Sequence, residues 1–191
     1  MRYGDDANDC STLKLQFDTG RGTVMRLSEL GISPEQLNAV FFTHMHNDHT
    51  EGFADMVTLR WMFFASTARI DTICSSDVVS TLGFSISCQK FTTHVADAFL
   101  QSGEAQRHSE IKQRSLGGPA DLINTITFTA NDQPQTVWAS GDVTVSAMCR
   151  IGWIRLPEAW SSAGMPAMMC RHRRDPRRHP IRLRGSRKAR M

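Results

Sequence analysis

Apolar and polar positions fall into short, unevenly spaced runs along the 191 residues. Leu13-Lys14-Leu15-Gln16-Phe17 alternates with a period of two and predicts a strand with one buried face, ending at Asp18. Ahead of it, Met1 to Thr12 lacks alternation, and Gly4-Asp5-Asp6-Ala7-Asn8-Asp9 reads as turn. Asp18 to Gly22 has the form Asp-x-Gly-x-Gly, which allows a tight turn where a side chain would clash. Val24 to Leu30 predicts a short helix. Ser33-Pro34-Glu35-Gln36 predicts a helix start, with Ser33 as cap, Pro34 at the first helical position and Gln36 closing a capping box. Ala39 to Thr43 predicts a strand. Gly52 to Phe64 predicts a helix packed on a sheet, with Met56, Trp61, Met62 and Phe63 assigned to the core.

Further on, Ile70 to Cys74 predicts a short strand, Val78 to Leu82 a helix after Ser75-Ser76-Asp77, and His94 to Gln101 another helix. Ile123 to Thr129 and Thr136 to Ala139 predict antiparallel strands joined at the turn Asn131-Asp132-Gln133-Pro134, and a further strand follows Ser140-Gly141-Asp142. Strands and helices in this mixture place the chain in the α+β class. After Pro157 neither helical nor strand periodicity remains.

The chemistry concentrates in one stretch, Thr43-His44-Met45-His46-Asn47-Asp48-His49-Thr50-Glu51-Gly52, directly after the apolar Val40-Phe41-Phe42. Three of the seven histidines fall within six positions. On a strand, alternation points His44 and His46 the same way, and Asp48 and His49 turn over the strand end. Four ligand groups then converge. Neutral imidazoles suit zinc or iron, and a carboxylate among them can share a second ion. His94 and His108 stand alone and read as surface or packing residues, and Asp142 reads as a turn residue.

Two motifs, Phe17-Asp18-Thr19-Gly20-Arg21-Gly22-Thr23 and the His44–His49 cluster with Glu51-Gly52-Phe53, carry a resemblance. The block from about Phe17 to Phe64 resembles the metallo-β-lactamase-fold hydrolases, and within them the ribonuclease Z-like branch. A weaker likeness continues to about Ala147. The resemblance implies a partial αββα sandwich with its N-terminal half largely present and its C-terminal half missing or disordered. It implies two divalent ions, zinc first, with manganese or iron as alternatives. His44 and His46 would hold one ion, Asp48 and His49 the other, with Asp48 also the catalytic proton acceptor and Asp18 a supporting group behind the ligands. The implied substrate is a phosphodiester, RNA included, or another ester, and a homodimer is implied as well.

Charge divides the chain. Residues 1–149 hold 10 Lys+Arg and 17 Asp+Glu, whereas residues 150–191 hold 12 Lys+Arg, eleven of them arginine, and 2 Asp+Glu. The first segment is read as an incomplete metallo-β-lactamase-like domain, the second as a basic, disordered tail. A nucleic-acid arm normally mixes lysine with arginine, serine and glycine. Arginine, proline, alanine and glycine without period are what GC-rich codons yield out of frame. Back-translating Ala159 to Cys170 one base earlier is compatible with an apolar strand ending in Gly-Asp, and the same frame across Ala147 to Ala159 allows a histidine entering a hairpin. That is the order in which the resembled family supplies a third histidine and a bridging aspartate. Two alternatives to hydrolysis follow: a non-catalytic remnant of such an enzyme, or a basic-tailed nucleic-acid-binding protein. No segment is long and apolar enough to span a membrane, and the N-terminus lacks a signal-peptide pattern. Five scattered cysteines without a Cys-x-x-Cys pair predict reduced thiols and a cytoplasmic setting.

Overall fold

A computed structural model describes residues 2–3, 13–63, 68–80, 82–100, 118–141, 143–149 and 166–171. Strand β1 is Arg2–Tyr3, β2 Leu13–Phe17, β3 Ala39–Phe41, β4 Ile70–Ser75, β5 Val78–Val79, β6 Ser85–Ile86, β7 Ile123–Phe128, β8 Gln135–Ser140, β9 Val143–Cys149 and β10 Pro166–Arg171. Helix α1 is Thr23–Glu29, α2 Asn47–Thr50, α3 Phe53–Phe63 and α4 Cys88–Leu100. The main sheet has the order β1-β2-β3-β4-β7. Its β2, β3, β4 and β7 run parallel, and β1 closes one edge antiparallel to β2. A second, antiparallel sheet has the order β10-β9-β8.

Alternation along β3 and its continuation decides which layer each side chain serves. Val40 and Phe42 face the helices and join Leu27, Phe53, Met56, Val57, Ile70 and Cys74 in one core cluster. Ala39 and Phe41 face the second sheet, where they meet Leu13, Leu15, Ile73, Trp138 and Val145. Phe41 stacks on Phe17 at 4.9 Å between ring centres and meets Trp138 edge-on at 5.8 Å. The Trp138 Nε1–H donates to Asp71 Oδ2 at 2.8 Å, and Asn124 Nδ2 donates to Asp71 Oδ1 at 2.7 Å, so one carboxylate ties the two sheets. Burying a polar indole requires such a partner.

Several expectations are corrected here. Ile123–Phe128 does not pair with the strand after it. It lies parallel to β4, while β8 pairs with β9 across the Gly141 turn, whose φ is 57°. Val78–Val79 is a strand, hairpinned to Ser85–Ile86 through Gly83 at φ 81°, and not a helix. Two β-branched residues before a left-handed glycine favour the hairpin. Ser33–Gln36 makes only a 3₁₀ turn over Pro34–Gln36, without the side-chain cap bond of a capping box; the Ser33 hydroxyl donates to Glu35 instead. Arg2–Tyr3 is a strand within a stretch that lacks alternation, and the turn read at Gly4–Asp9 lies outside the described residues. Phe63 is 61% exposed, whereas Met56 and Trp61 are buried as assigned. Cys74 and Cys88 form a disulfide, their Cα atoms 6.3 Å apart, against the expectation of reduced thiols; the end of β4 and the start of α4 meet there. Within the basic segment 150–191, only Pro166–Arg171 is described, as a strand antiparallel to β9; the reading of the rest as a disordered tail lies outside the described residues.

Candidate metal centre

Strand β3 stops at Phe41, so His44 and His46 stand on a loop and alternation does not aim them. The single turn of α2 does the aiming. His49 N–H donates to His46 O at 3.1 Å, Glu51 N–H to Asn47 O at 2.8 Å, and the Thr50 hydroxyl to His46 O at 3.1 Å. These bonds fold Asp48 and His49 back over the histidines before them. One donor atom each of His44, His46 and Asp48 then lies within 4.8 Å of the others. His44 Nε2 and His46 Nδ1 are 3.1 Å apart. The His49 ring centre is 3.9 Å from that of His44, and His49 Nε2 is 3.6 Å from Asp48 Oδ2.

The donor set fits a divalent ion. Two imidazole lone pairs facing each other at 3.1 Å repel unless a proton or a cation lies between them. Zinc–nitrogen bonds of about 2.0–2.1 Å at tetrahedral angles bring two ligating nitrogens to roughly 3.3 Å. Burial holds the pKa of His44 below its ordinary value; neighbouring His49 and His46 lower it further, against the pull of Asp18 and Asp48. The neutral imidazole favoured in this way is the form that binds metals.

Behind the donors sits Asp18, a residue with φ 54° in the left-handed region that aspartate tolerates better than most side chains. Its N–H donates to Phe41 O at 2.8 Å, which fixes the turn to the end of β3. Its Oδ1 accepts from the Thr43 N–H at 2.8 Å, and its Oδ2 lies 2.8 Å from His49 Nδ1. Thr43 is the residue that sequence reasoning missed. Its hydroxyl lies 2.9 Å from Asp18 Oδ2, 3.1 Å from Asp18 Oδ1 and 3.1 Å from His44 Nδ1. The signal available was only its position, a hydroxyl directly before the first histidine.

Two glycines lock the Asp18 loop against the histidine loop. Thr19 N–H donates to His49 O and Gly52 N–H to Thr19 O, both at 2.7 Å. A Cβ on Gly20 would stand 2.4 Å from Asp48 O, and one on Gly52 would stand 2.5 Å from Gly20 O. On the outside, Arg21 donates to both oxygens of Glu51 at 2.9 and 3.1 Å, a pairing that raises the pKa of the Arg21 guanidinium. His94 is exposed on α4 and is not among the residues whose donor atoms converge, while His108 and Asp142 lie outside the described residues.

Comparison with known proteins finds the same block. Residues 9–97 match the family described as "Anti-Pycsar protein Apyc1". Ribonuclease Z of Mycolicibacterium gilvum is 36% identical over 45 residues, covering 24% of this chain and 16% of that protein. Ribonuclease Z of Pyrobaculum neutrophilum is 33% identical over 70 residues, covering 37% of this chain and 24% of that protein. Over this block the chain is similar to ribonuclease Z. The metallo-β-lactamase-fold protein YhfI of Bacillus subtilis superposes with a TM-score of 0.42 at 16% identity, covering 82% of this chain and 45% of that one. The chain thus matches at most about a quarter of the length of these ribonuclease Z relatives. The two layers over the main sheet, helices on one face and an antiparallel sheet on the other, agree with part of the αββα sandwich that the sequence resemblance implies.

Proposed function

We propose that the chain is a metal-dependent hydrolase of the metallo-β-lactamase superfamily, acting on a phosphodiester or another ester. The observation that carries this reading is the convergence of His44, His46 and Asp48 donor atoms within 4.8 Å, with His49 against them. In it, His44 and His46 hold one divalent ion, Asp48 and His49 hold a second, and Asp18 keeps His49 oriented through Nδ1. Zinc suits this mixture of imidazole and carboxylate, and manganese or iron can replace it. A bound divalent ion lowers the pKa of a coordinated water toward neutrality and so supplies a hydroxide nucleophile at physiological pH. Asp48, with 73% of its side chain exposed, can accept the proton of an incoming water. Likeness to ribonuclease Z supports RNA as the substrate class and, with it, a cytoplasmic setting and a homodimer. Among the described residues no helix is long and apolar enough to cross a membrane.

A second reading, metal binding without turnover, is favoured by one observation. Among the described residues every ligand of the cluster comes from residues 44–49. One loop then supplies few ligands for two ions, and an under-coordinated site holds metal weakly. Metal-free protein titrated with zinc and manganese, followed by assay on bis(p-nitrophenyl) phosphate, separates the two. Metal-dependent turnover that His46→Ala abolishes establishes the hydrolase. Bound metal with no turnover establishes the second reading, and no bound metal at micromolar zinc overturns both.

A further inference from the structure

The hydroxyl of Thr43 touches three groups of the cluster's support, and its single proton can serve only one of them. Asp18 is acceptor-only when ionised, and both its oxygens lie within 3.1 Å of Thr43 Oγ1. An oxygen lone pair facing that carboxylate would be repelled, so the Thr43 proton points at Asp18. The remaining Thr43 lone pairs then face His44 Nδ1 at 3.1 Å and His49 Nδ1 at 3.4 Å. A bare Nδ1 on His44 would meet oxygen lone pairs with no proton between them. His44 therefore carries its proton on Nδ1 and donates it to Thr43. His49 places its own Nδ1 2.8 Å from Asp18 Oδ2 and is fixed in the same sense.

We infer that Thr43 is a positioning residue that sets the tautomer of His44, leaving the His44 Nε2 lone pair free for a metal ion beside His46 Nδ1. The inference rests on the metal-binding reading above for its consequence, but not for the tautomer itself. Asp18, Thr43, His44 and His49 form one relay in which a single carboxylate orders two imidazoles. One imidazole is ordered directly and the other through a hydroxyl. Supports of this kind behind a ligating histidine are typically worth 10–100-fold in metal affinity.

Three proteins test it: the whole chain, Thr43→Val and Thr43→Ser. Valine keeps the branched shape and removes both the donor and the acceptor, whereas serine keeps the hydroxyl. In the metal-free wild type, imidazole 15N shifts are expected to report a protonated Nδ1 on His44. Zinc affinity, measured by competition with a chromogenic chelator, is expected to fall 10–100-fold in Thr43→Val and to stay within about threefold of wild type in Thr43→Ser. A protonated Nε2 on His44 in the wild type overturns the inference. So does Thr43→Val binding zinc as wild type does, or serine and valine losing affinity alike. Failure of the wild type to bind zinc at all counts against the proposed function, and the 15N pattern still decides the tautomer. That pattern also decides the matter should Thr43→Val not fold.

Discussion

Replacing Gly20 by alanine asks how firmly the two motif loops are locked. The new Cβ would stand 2.4 Å from Asp48 O, about an ångström inside ordinary van der Waals contact, and the obstacle is backbone that no rotamer change can move. Relief requires the Asp18 turn and the α2 turn to separate, which stretches the 2.7 Å bonds of Thr19 N–H to His49 O and of Gly52 N–H to Thr19 O. Overpacking of this kind costs about 1–3 kcal/mol. At roughly 2–4 °C per kcal/mol for a chain of this size, Gly20→Ala lowers Tm by about 4–8 °C at the middle of that range. Because the displaced atom belongs to Asp48, zinc affinity falls as well, by about tenfold. Gly52→Ala strikes Gly20 O at 2.5 Å and Thr19 O at 2.9 Å, the other side of the same contact. Once one substitution has opened the gap the second costs less, so the double variant loses less stability than the two singles together. Gly31→Ala is the control: its φ of 66° is strained for alanine, but open space surrounds it, so it lowers Tm slightly and leaves zinc affinity unchanged. Differential scanning fluorimetry and chelator competition read both quantities. Gly20→Ala with wild-type Tm and zinc affinity refutes the close contact.

Arg60 is 1% exposed and donates to the carbonyls of Pro34, Leu37 and Ala68 at 2.7, 3.2 and 2.5 Å, so Arg60→Met strands three carbonyls and costs about 3 kcal/mol by urea denaturation, after allowing for the desolvation it relieves. Burial lowers the Arg60 pKa from its ordinary value to about 10. Above pH 10 the native state sheds a proton that the unfolded chain keeps, so wild-type stability relative to Arg60→Met is level from pH 6 to 9 and rises above pH 10; a fall there would contradict the assignment. Reducing Cys74–Cys88, which closes a 14-residue separation, lowers stability by about 3 kcal/mol, measured as the Tm difference with and without a dithiol. Cys88→Ser should show the same loss and no further response to the dithiol.

The clustering of His44, His46, Asp48 and His49 was legible because adjacent residues of ligand type leave a dense local signature. What brings them together was not, since the sequence suggested strand alternation where a loop and one helical turn do the work. Thr43 was illegible for a different reason: a threonine at a strand end is an ordinary β-former, and only the carboxylate 25 residues earlier gives its hydroxyl a task. Asp18 read equally well as a turn former or a support; its left-handed backbone makes the turn, and its two oxygens reach the Thr43 N–H and His49 Nδ1. Local pattern found β2, β3, β4, α1 and α3. It joined β7 to β8 because they are neighbours in sequence, whereas the pairing of β7 with Ile70–Ser75 has no local signature. The disulfide lacked the short spacing that marks a cysteine pair and depended on a long-range meeting of β4 with α4.

The candidate ligands lie within six consecutive residues, and that closeness has a thermodynamic consequence. Sites assembled from distant segments exist only in the folded chain, so occupancy stabilises the fold by the full mass-action term, about 2.7 kcal/mol at a ligand concentration one hundred times Kd. Here the denatured chain keeps His44, His46, Asp48 and His49 side by side and retains an affinity of its own. Each increment of affinity in the denatured ensemble subtracts from what zinc adds to the melting temperature. A thermal-shift screen would therefore rank this protein as a weaker zinc binder than direct titration does, and the shortfall measures how much of the site is written in local sequence alone.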